Sequence, residues 1–561
     1  MNAMRTQLIL TGLLIWISTL LTAQNEQERL MLLTDRGHYI SGEYIRFSAL
    51  YTGPGESEAG AWSKILYVEL VLPNGSSMGQ QKVTLDRTGA RGIIGIPEGL
   101  SSGTYYLKGY TRWMRNCGPE AFSYTSIQVY DAYQESVVPV DTEGWAPTKP
   151  SNIFNQADRY AEAPLECVLM NSSFSTREKI EVELAWMNPY VPANASISVV
   201  KAGLQSGQNF YNTICTLSGE DDSRFLPESR GVSLTGQAVS ASDKSPAAYA
   251  TIYVSVLGSE REFFSNYSDS AGYFYFSFPN YRGNKDLFVS TFHPEYDELE
   301  LLIDRDFNND PLQLPSFPVN LNDTLVELIT EMSVNFQISQ QYFPPQIRQP
   351  ETKMSDDRLF YGQPTSTILF EDFINLPRLE EYFTEVIPQV SVKKSKGKKR
   401  FVVLGAHPDL QIYQPLVMID GVAIFDIEAV LAVSPRLIDR VEIVNAPYIR
   451  GNVTFGGIIS LISRNNDLGY IDLPSSGLLV DYQMLDSWGS DSIHSVDADS
   501  RLPDVRNTLY WKPGMHLQPE VKQTVSFYAS DAEGDYEFLI RGIDSEGKYF
   551  SKTVPFKIKS F

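Results

Sequence analysis

Apolar and polar residues alternate in short runs along most of this chain, the period of half-buried strands. Tyr44 to Leu50 alternates, Ile65 to Leu70 does the same, and Thr104 to Tyr110 is a third run. Pro73-Asn74-Gly75 and Pro97-Glu98-Gly99 read as turns between such runs. The spacing predicts an antiparallel sandwich over residues 25–132. Residues 133–163 are rich in Pro, Ser, Asn and acidic groups, with weak periodicity, and read as a linker. Alternation resumes over 164–226, in Phe174 to Trp186 and Ala193 to Ala202, a stretch short enough for a truncated sandwich. A third β unit spans 229–305, with strands from Gly231 to Val239, in AYATIYVSV and from Tyr273 to Phe278. Residues 306–377 read as a linker with a helical segment, Leu321 to Ile338. The run Leu376 to Val386 reads as a helix with Glu380 and Glu381 in its N-terminal half. Residues 378–470 mix helix and strand, 471–503 look like a connector, and 504–561 end the chain as a further β unit. The fold class expected is mainly β and multidomain, several sandwiches with one small α+β domain.

The first 23 residues carry an export signal. Arg5 is the only charged residue before Glu26, Leu8 to Leu21 is an apolar run, and Leu21-Thr22-Ala23 offers small residues for cleavage. The run is short for a membrane span. No Cys follows it, so a lipoprotein anchor is not supported. No later run approaches 18 apolar residues, so no transmembrane segment is expected in the mature chain. With 46 Lys+Arg against 68 Asp+Glu, the formal charge is −22. Such a chain repels phosphate backbones, and nucleic acid is not an expected partner. One cluster reverses the sign: Lys393, Lys394, Lys396, Lys398, Lys399 and Arg400. It could bind anions, but without interleaved aromatics a solvated linker or loop is the plainer reading. Three cysteines, Cys117, Cys167 and Cys215, allow one pair and no disulfide framework. Aromatics at 12 %, including 31 Tyr, suit sheets, where rings pack across strands.

Several stretches resemble known families. Leu32 to Ala49 (LLTDRGHYISGEYIRFSA), KILYVELVLPNG and GLSSGTYYLKGYTRWMRN resemble the macroglobulin-type β-sandwich domains of bacterial envelope proteins. There Tyr39-x-x-Gly42-Glu43 fits a tight turn in which Gly42 takes a backbone angle other residues resist. Residues 164–226 look like a second, degenerate unit of this type. Gly231, Val239, Ala250, Ile252, Val254, Asp269, Gly272, Phe274 and Phe276 follow the order of the carboxypeptidase regulatory-like domain. That domain is an accessory sandwich without zinc ligands, so peptidase activity does not transfer. Pro415 to Arg464, with PLVMIDGV, SPRLIDRVEIV and GGIISLISR, resembles the plug domain of TonB-dependent outer-membrane receptors. Residues 504–561 resemble the Ig-like strands that accompany macroglobulin domains. The combination resembles envelope proteins of the Bacteroidetes type. A receptor barrel needs several hundred residues, and fewer than a hundred follow Arg464. Self-contained transport is therefore not expected.

Cys117-Gly118-Pro119-Glu120 invites comparison with the macroglobulin thioester, but Glu stands where that bond needs Gln. A turn with a small apolar thiol is the plainer reading. The histidines, His38, His293, His407, His494 and His516, show no metal-ligand spacing, and there is no Cys-x-x-Cys. Asp269 with Asp243 could bind calcium, though an Asp in such a turn more often caps backbone amides. No serine elbow or phosphate-cradling loop occurs. Gly456-Gly457 reads as a turn or bulge between strands, and Asp420-Gly421 as a hairpin turn. No catalytic, cofactor-binding or metal-binding residues are assigned, and no cofactor is expected. The expected function is a non-enzymatic exported envelope protein, a scaffold or docking component. One form this takes is an accessory to a TonB-dependent uptake system, with envelope proteins or receptor components as partners. Its place is the periplasm, the outer membrane or the cell surface. The alternative is a macroglobulin-like protease trap, with Pro344 to Asp357, which carries Arg348 and Lys353 and adjoins Arg358, as bait.

Overall fold

The computed structural model describes residues 28–52, 62–86, 88–134, 136–139, 161–162, 164–205, 208–211, 224–258, 261–293, 296, 298–310, 312–319, 322–342, 359–395, 397–473, 476–486, 493 and 501–560. The protein is mainly β, with several sheets. The export signal expected at residues 1–23 lies outside the described residues. No described helix is long and apolar enough to cross a membrane. The chain forms two compact units, and neither is continuous in sequence. Unit 1 comprises Met1–Ser229, Phe307–Arg348 and Trp488–Phe561; unit 2 comprises Arg230–Asp306 and Gln349–Ser487.

Unit 1 begins with the expected sandwich. The predicted runs appear as Tyr44–Thr52, Ile65–Val71 and Gly103–Tyr110. Strand Ser77–Asp86 pairs with Ile65–Val71 for most of its length, and then Leu85 and Asp86 pair with Ala90 and Gly89. One strand thus serves both sheets and makes the corner of the sandwich. Gly42 has φ +90, the left-handed angle expected of it.

The second sandwich of unit 1 corrects the expected boundaries. Residues 164–226 and 504–561 form one sandwich rather than two units. Strand Lys179–Trp186 lies between Leu165–Leu169 and Lys522–Tyr528. In the facing sheet, Ala193–Lys201 lies between Gly534–Asp544 and Thr508–Leu517. The reason is burial. Lys179–Trp186 alternates so that Ile180, Val182, Leu184 and Trp186 all face inward. The few strands of 164–226 cannot cover that face alone. Phe527, Phe538, Ile540 and Phe556 complete the core.

The expected linker at 306–377 is another correction, because both ends of it are structural. Tyr106 donates to the carbonyl of Pro315, and the Thr104 hydroxyl to that of Phe317. Helix Asp323–Tyr342 overlaps the helical segment expected at Leu321 to Ile338 from Asp323 onward. Its Leu328, Ile329, Met332 and Phe336 pack with Ile40, Tyr130, Val200 and Leu204.

Unit 2 joins a small sandwich to a mixed sheet. The sandwich carries Ser233–Ser240, Thr251–Val256, Glu262–Tyr267, Tyr273–Ser277, Asn284–Phe292 and Leu299–Ile303. The connector expected at 471–503 adds a strand to it, Leu478–Gln483 beside Asn284–Phe292. Tyr482 is buried there, edge-on to Phe278. The mixed sheet runs Ser366–Leu369, Ile438–Val444, Ile458–Ser463, Leu416–Ile419, Val422–Ala423. It therefore starts before the expected boundary at 378. Leu416–Ile419 and Ile458–Ser463 are parallel, so the chain must cross over between them. Helix Ile427–Ala432 lies in that crossover, its N-terminus capped by the Asp426 carboxylate, which accepts from the amides of Glu428 and Ala429. The sandwich and the mixed sheet share a core: Tyr253 and Phe263 pack with Leu416, Met418, Val453 and Phe455.

If 164–226 and 504–561 are one cooperative sandwich, a lesion in one stretch must loosen the other. Phe538→Ala should destabilise unit 1 by about 3–5 kcal/mol. Amide exchange should then accelerate across Lys179–Trp186 as well as around residue 538. Acceleration confined to 504–561 would show two independent units.

Candidate functional site

Among the described residues, the predicted sites resolve into local structural roles or open surface. Cys117 ends the 3-10 turn Trp113–Cys117 and is disulfide-bonded. A bonded sulfur has no thiol to form a thioester. Cys167 is free, and burial pushes its thiol up to about 11, away from the reactive thiolate. Cys215 lies outside the described residues.

The described histidines have separate surroundings. His38 Nδ1 lies 2.8 Å from the buried Tyr130 hydroxyl, and His516 Nδ1 lies 3.0 Å from Asn194 Oδ1. The His293 ring meets Tyr296 edge-on, His407 is exposed, and His494 lies outside the described residues. No group of His, Cys, Asp and Glu suited to a metal occurs among the described residues. Asp269 accepts from the amides of Ala271 and Tyr273 at 2.9 and 2.8 Å. Asp243 accepts from the amide and hydroxyl of Ser245. Both carboxylates cap turns. The bait stretch, with Arg348, Lys353 and Arg358, lies outside the described residues.

Asp420-Gly421 is the hairpin turn expected. Both residues have positive φ, 49° and 87°, and they join Leu416–Ile419 to Val422–Ala423. The Asp420 carboxylate is buried and accepts from the amides of Ser463 and Leu468, each at 2.9 Å, and from the Ser463 hydroxyl at 2.6 Å. This explains why an Asp occupies a strained position: it ties the chain beyond Ile458–Ser463 back to the turn. Gly457, with φ +96, makes the bend before that strand.

The basic cluster departs from its plainer reading. It is a two-stranded hairpin, Val390–Ser395 with Lys398–Val403, and not a loop. Val390, Phe401 and Val403 are buried in the core of the mixed-sheet module, which anchors the base. Further out, Lys393 lies opposite Arg400 and Lys394 opposite Lys399. Each such like-charge pair costs on the order of 0.5 kcal/mol at water-like screening. Lys399 is relieved by Glu380 at 2.7 Å. Lys396 lies outside the described residues.

Composition did not reveal the buried charges of unit 1. Arg36 and Glu43 pair at 2.9 Å, both almost fully buried. Lys108 pairs with Glu69 at 2.9 Å and donates to the carbonyl of Asn308 at 2.7 Å. Burial lowers the Lys108 ammonium, against the pull of Glu69. These groups anchor the points where the chain leaves unit 1 and returns to it. Glu228 accepts from the Tyr67 hydroxyl at 3.1 Å, and Phe307 packs edge-on to the same ring. The only sequence signal was Glu43 in its turn and the alternation of Gly103–Tyr110, where Lys108 falls within an otherwise apolar strand.

Two tests follow from these buried groups. Lys108→Met leaves Glu69 buried and unpaired and should cost about 3–5 kcal/mol in urea unfolding. Adding Glu69→Gln should restore much of it, whereas additive losses would show that the pair is not coupled. Burial raises the Glu28 carboxyl above its usual 4.5, against hydrogen bonds from Ser63, Thr111 and Tyr51. The folded state therefore favours the protonated acid. That stability is complete below pH 4.5 and declines as pH rises through the raised value. Glu28→Gln should remove this decline, gaining on the parent chain at about pH 7 more than at about pH 4. A pH-independent difference would exclude it.

No family model and no curated protein matches this chain. Among solved structures, it is similar to trypsin-activated α2-macroglobulin from Escherichia coli, at 9 % identity and TM-score 0.23, covering 95 % of this chain and 42 % of that one. Salmonella α2-macroglobulin reacted with methylamine gives 9 % identity and TM-score 0.23, covering 95 % and 39 %. Dimeric latent PorU from Porphyromonas gingivalis gives 9 % identity and TM-score 0.15, covering 49 % and 34 %. The chain spans about two fifths of the length of the macroglobulins it matches. TM-scores this low carry no argument about activity.

Proposed function

We propose that this chain is a non-enzymatic, exported component of the cell envelope, a scaffold that presents a docking module. The observation that carries this reading is the shared core of unit 2. Phe425 lies 4.6 Å from Tyr253 and 5.3 Å from Phe292, ring centre to ring centre, so the plug-like sheet is held firmly on its sandwich. Arg450 adds a guanidinium ion pair to Glu262 and donates to the carbonyl of Phe263 at 2.7 Å. A rigid base is what a recognition surface needs, because ordering a mobile one lowers affinity. Placement in the envelope rests on the export signal. Partners would be envelope proteins, receptor components among them.

The reading is tested by cross-linking the tagged full chain in intact cells and fractionating them. A discrete set of cross-linked envelope proteins is expected. Recovery in the cytosol, or no specific cross-link, would overturn it. Incubation with a trypsin-like protease separates the scaffold from the protease trap. Cleavage with no protease retained on gel filtration is expected. Co-elution of active protease with the cleaved chain would favour the trap.

A further inference from the structure

The hairpin Val390–Ser395/Lys398–Val403 is where a strongly acidic chain turns basic. Its charges follow strand geometry. Successive side chains point to opposite faces, so Lys393, Lys398 and Arg400 share one face and Lys394 and Lys399 the other. Lys393, Lys394, Lys398 and Arg400 are exposed. Among the described residues, only Lys399 of these five cations meets a carboxylate, that of Glu380. Among the described residues, each strand of the hairpin pairs only with the other, which leaves backbone amides and carbonyls along the outer edges.

Lysine on a strand edge commonly guards against aggregation, and one charge is enough for that. Here like charges are set directly opposite each other, which weakens the hairpin that bears them. An anion lying along the strands would reverse that penalty. Its form follows from the two faces. A flat anionic surface meets only one face, whereas the carboxylates of an extended strand alternate to both.

We propose that this hairpin binds an extended acidic peptide segment of a partner protein, added as a third strand along residues 398–400. Main-chain hydrogen bonds hold the segment, and its carboxylates pair with Lys398, Lys399 and Arg400. Lys393 and Lys394 reinforce the field from the adjacent strand. The inference supplies partner chemistry for the docking role and rests on it. If it fails while cross-linked envelope partners persist, the role survives without it.

The test is fluorescence anisotropy of the full chain with a labelled Glu- and Thr-rich peptide, and with a control in which Gln replaces every Glu. The acidic peptide should bind at least about tenfold more tightly, and added salt should weaken it. The combined variant Lys393→Gln, Lys398→Gln, Arg400→Gln should lose about tenfold in affinity. It should melt no lower than the parent chain, because these side chains lie outside the core. Hydrogen exchange should slow across 398–402 when the acidic peptide is bound. Equal affinity for both peptides, undiminished binding by the variant, or binding without slowed exchange would each overturn the proposal. So would binding to vesicles containing phosphatidylglycerol with none to the peptide.

Discussion

Asp35 is the group on which the assembly of unit 1 turns. Its buried carboxylate accepts from the Tyr39 hydroxyl at 2.7 Å, the Arg46 amide at 3.1 Å and the Thr508 hydroxyl at 2.6 Å. Its carbonyl accepts from Gln205 at 2.6 Å and from the Ser198 hydroxyl. One residue of the first sandwich therefore binds both sequence halves of the second. Around it, Arg541 donates to the carbonyl of Thr34 and to Gln208, and Asn507 donates to Glu43. Buried polar groups are costly unless they are satisfied. These hydrogen bonds form only when residues from three regions of the chain arrive together, so they specify how the sandwiches join as well as stabilising the join.

Unit 2 solves the same problem with aromatic packing. Its sandwich and mixed sheet meet through Tyr253, Phe263, Phe425 and Phe455, with Arg450 stacked on Phe264. In each unit, part of a segment expected as a linker or connector is built into the fold. Pro315 and Phe317 bond to the first sandwich, and Leu478–Gln483 adds a strand to the sandwich of unit 2. A chain whose segments return over hundreds of residues closes its sheets through long-range contacts, which slows folding relative to local pairing. That cost fits a molecule in which fixed geometry matters more than rapid assembly.

The strands were legible because alternation is a local property. Tyr44 to Leu50 and Thr104 to Tyr110 announce a buried face whatever covers it. What covers it is not local. Nothing in Lys179–Trp186 says that Lys522–Tyr528 will be its neighbour, and so one sandwich read as two. Asp420-Gly421 was legible because a two-residue turn with positive φ strongly selects those residues. The basic hairpin was misread for the opposite reason. Lysine is a poor strand former, and its charge hid the alternation of Val390, Val392, Phe401 and Val403 beneath it. Buried Lys108 and Arg36 escaped because charged residues are rarely interior, and only their partners reveal them.

The thioester question shows how far structure can redirect a resemblance. The macroglobulin-like motifs lie in strands and turns whose polar residues serve the fold. Tyr39 and Asp35 hydrogen-bond each other, Glu43 accepts from the amide of Ile40 and pairs with Arg36, and Cys117 is bonded. Groups engaged in this way hold the chain together. The charges free to meet a partner lie elsewhere, on a hairpin whose base is fixed by Val390, Phe401 and Val403 and whose outer half carries cations that its own strands oppose. If recognition resides there, the sandwiches need contribute no reactive group. In that case the sandwich of unit 2, whose Phe288 packs in the same core as Val390 and Phe401, holds that surface in place.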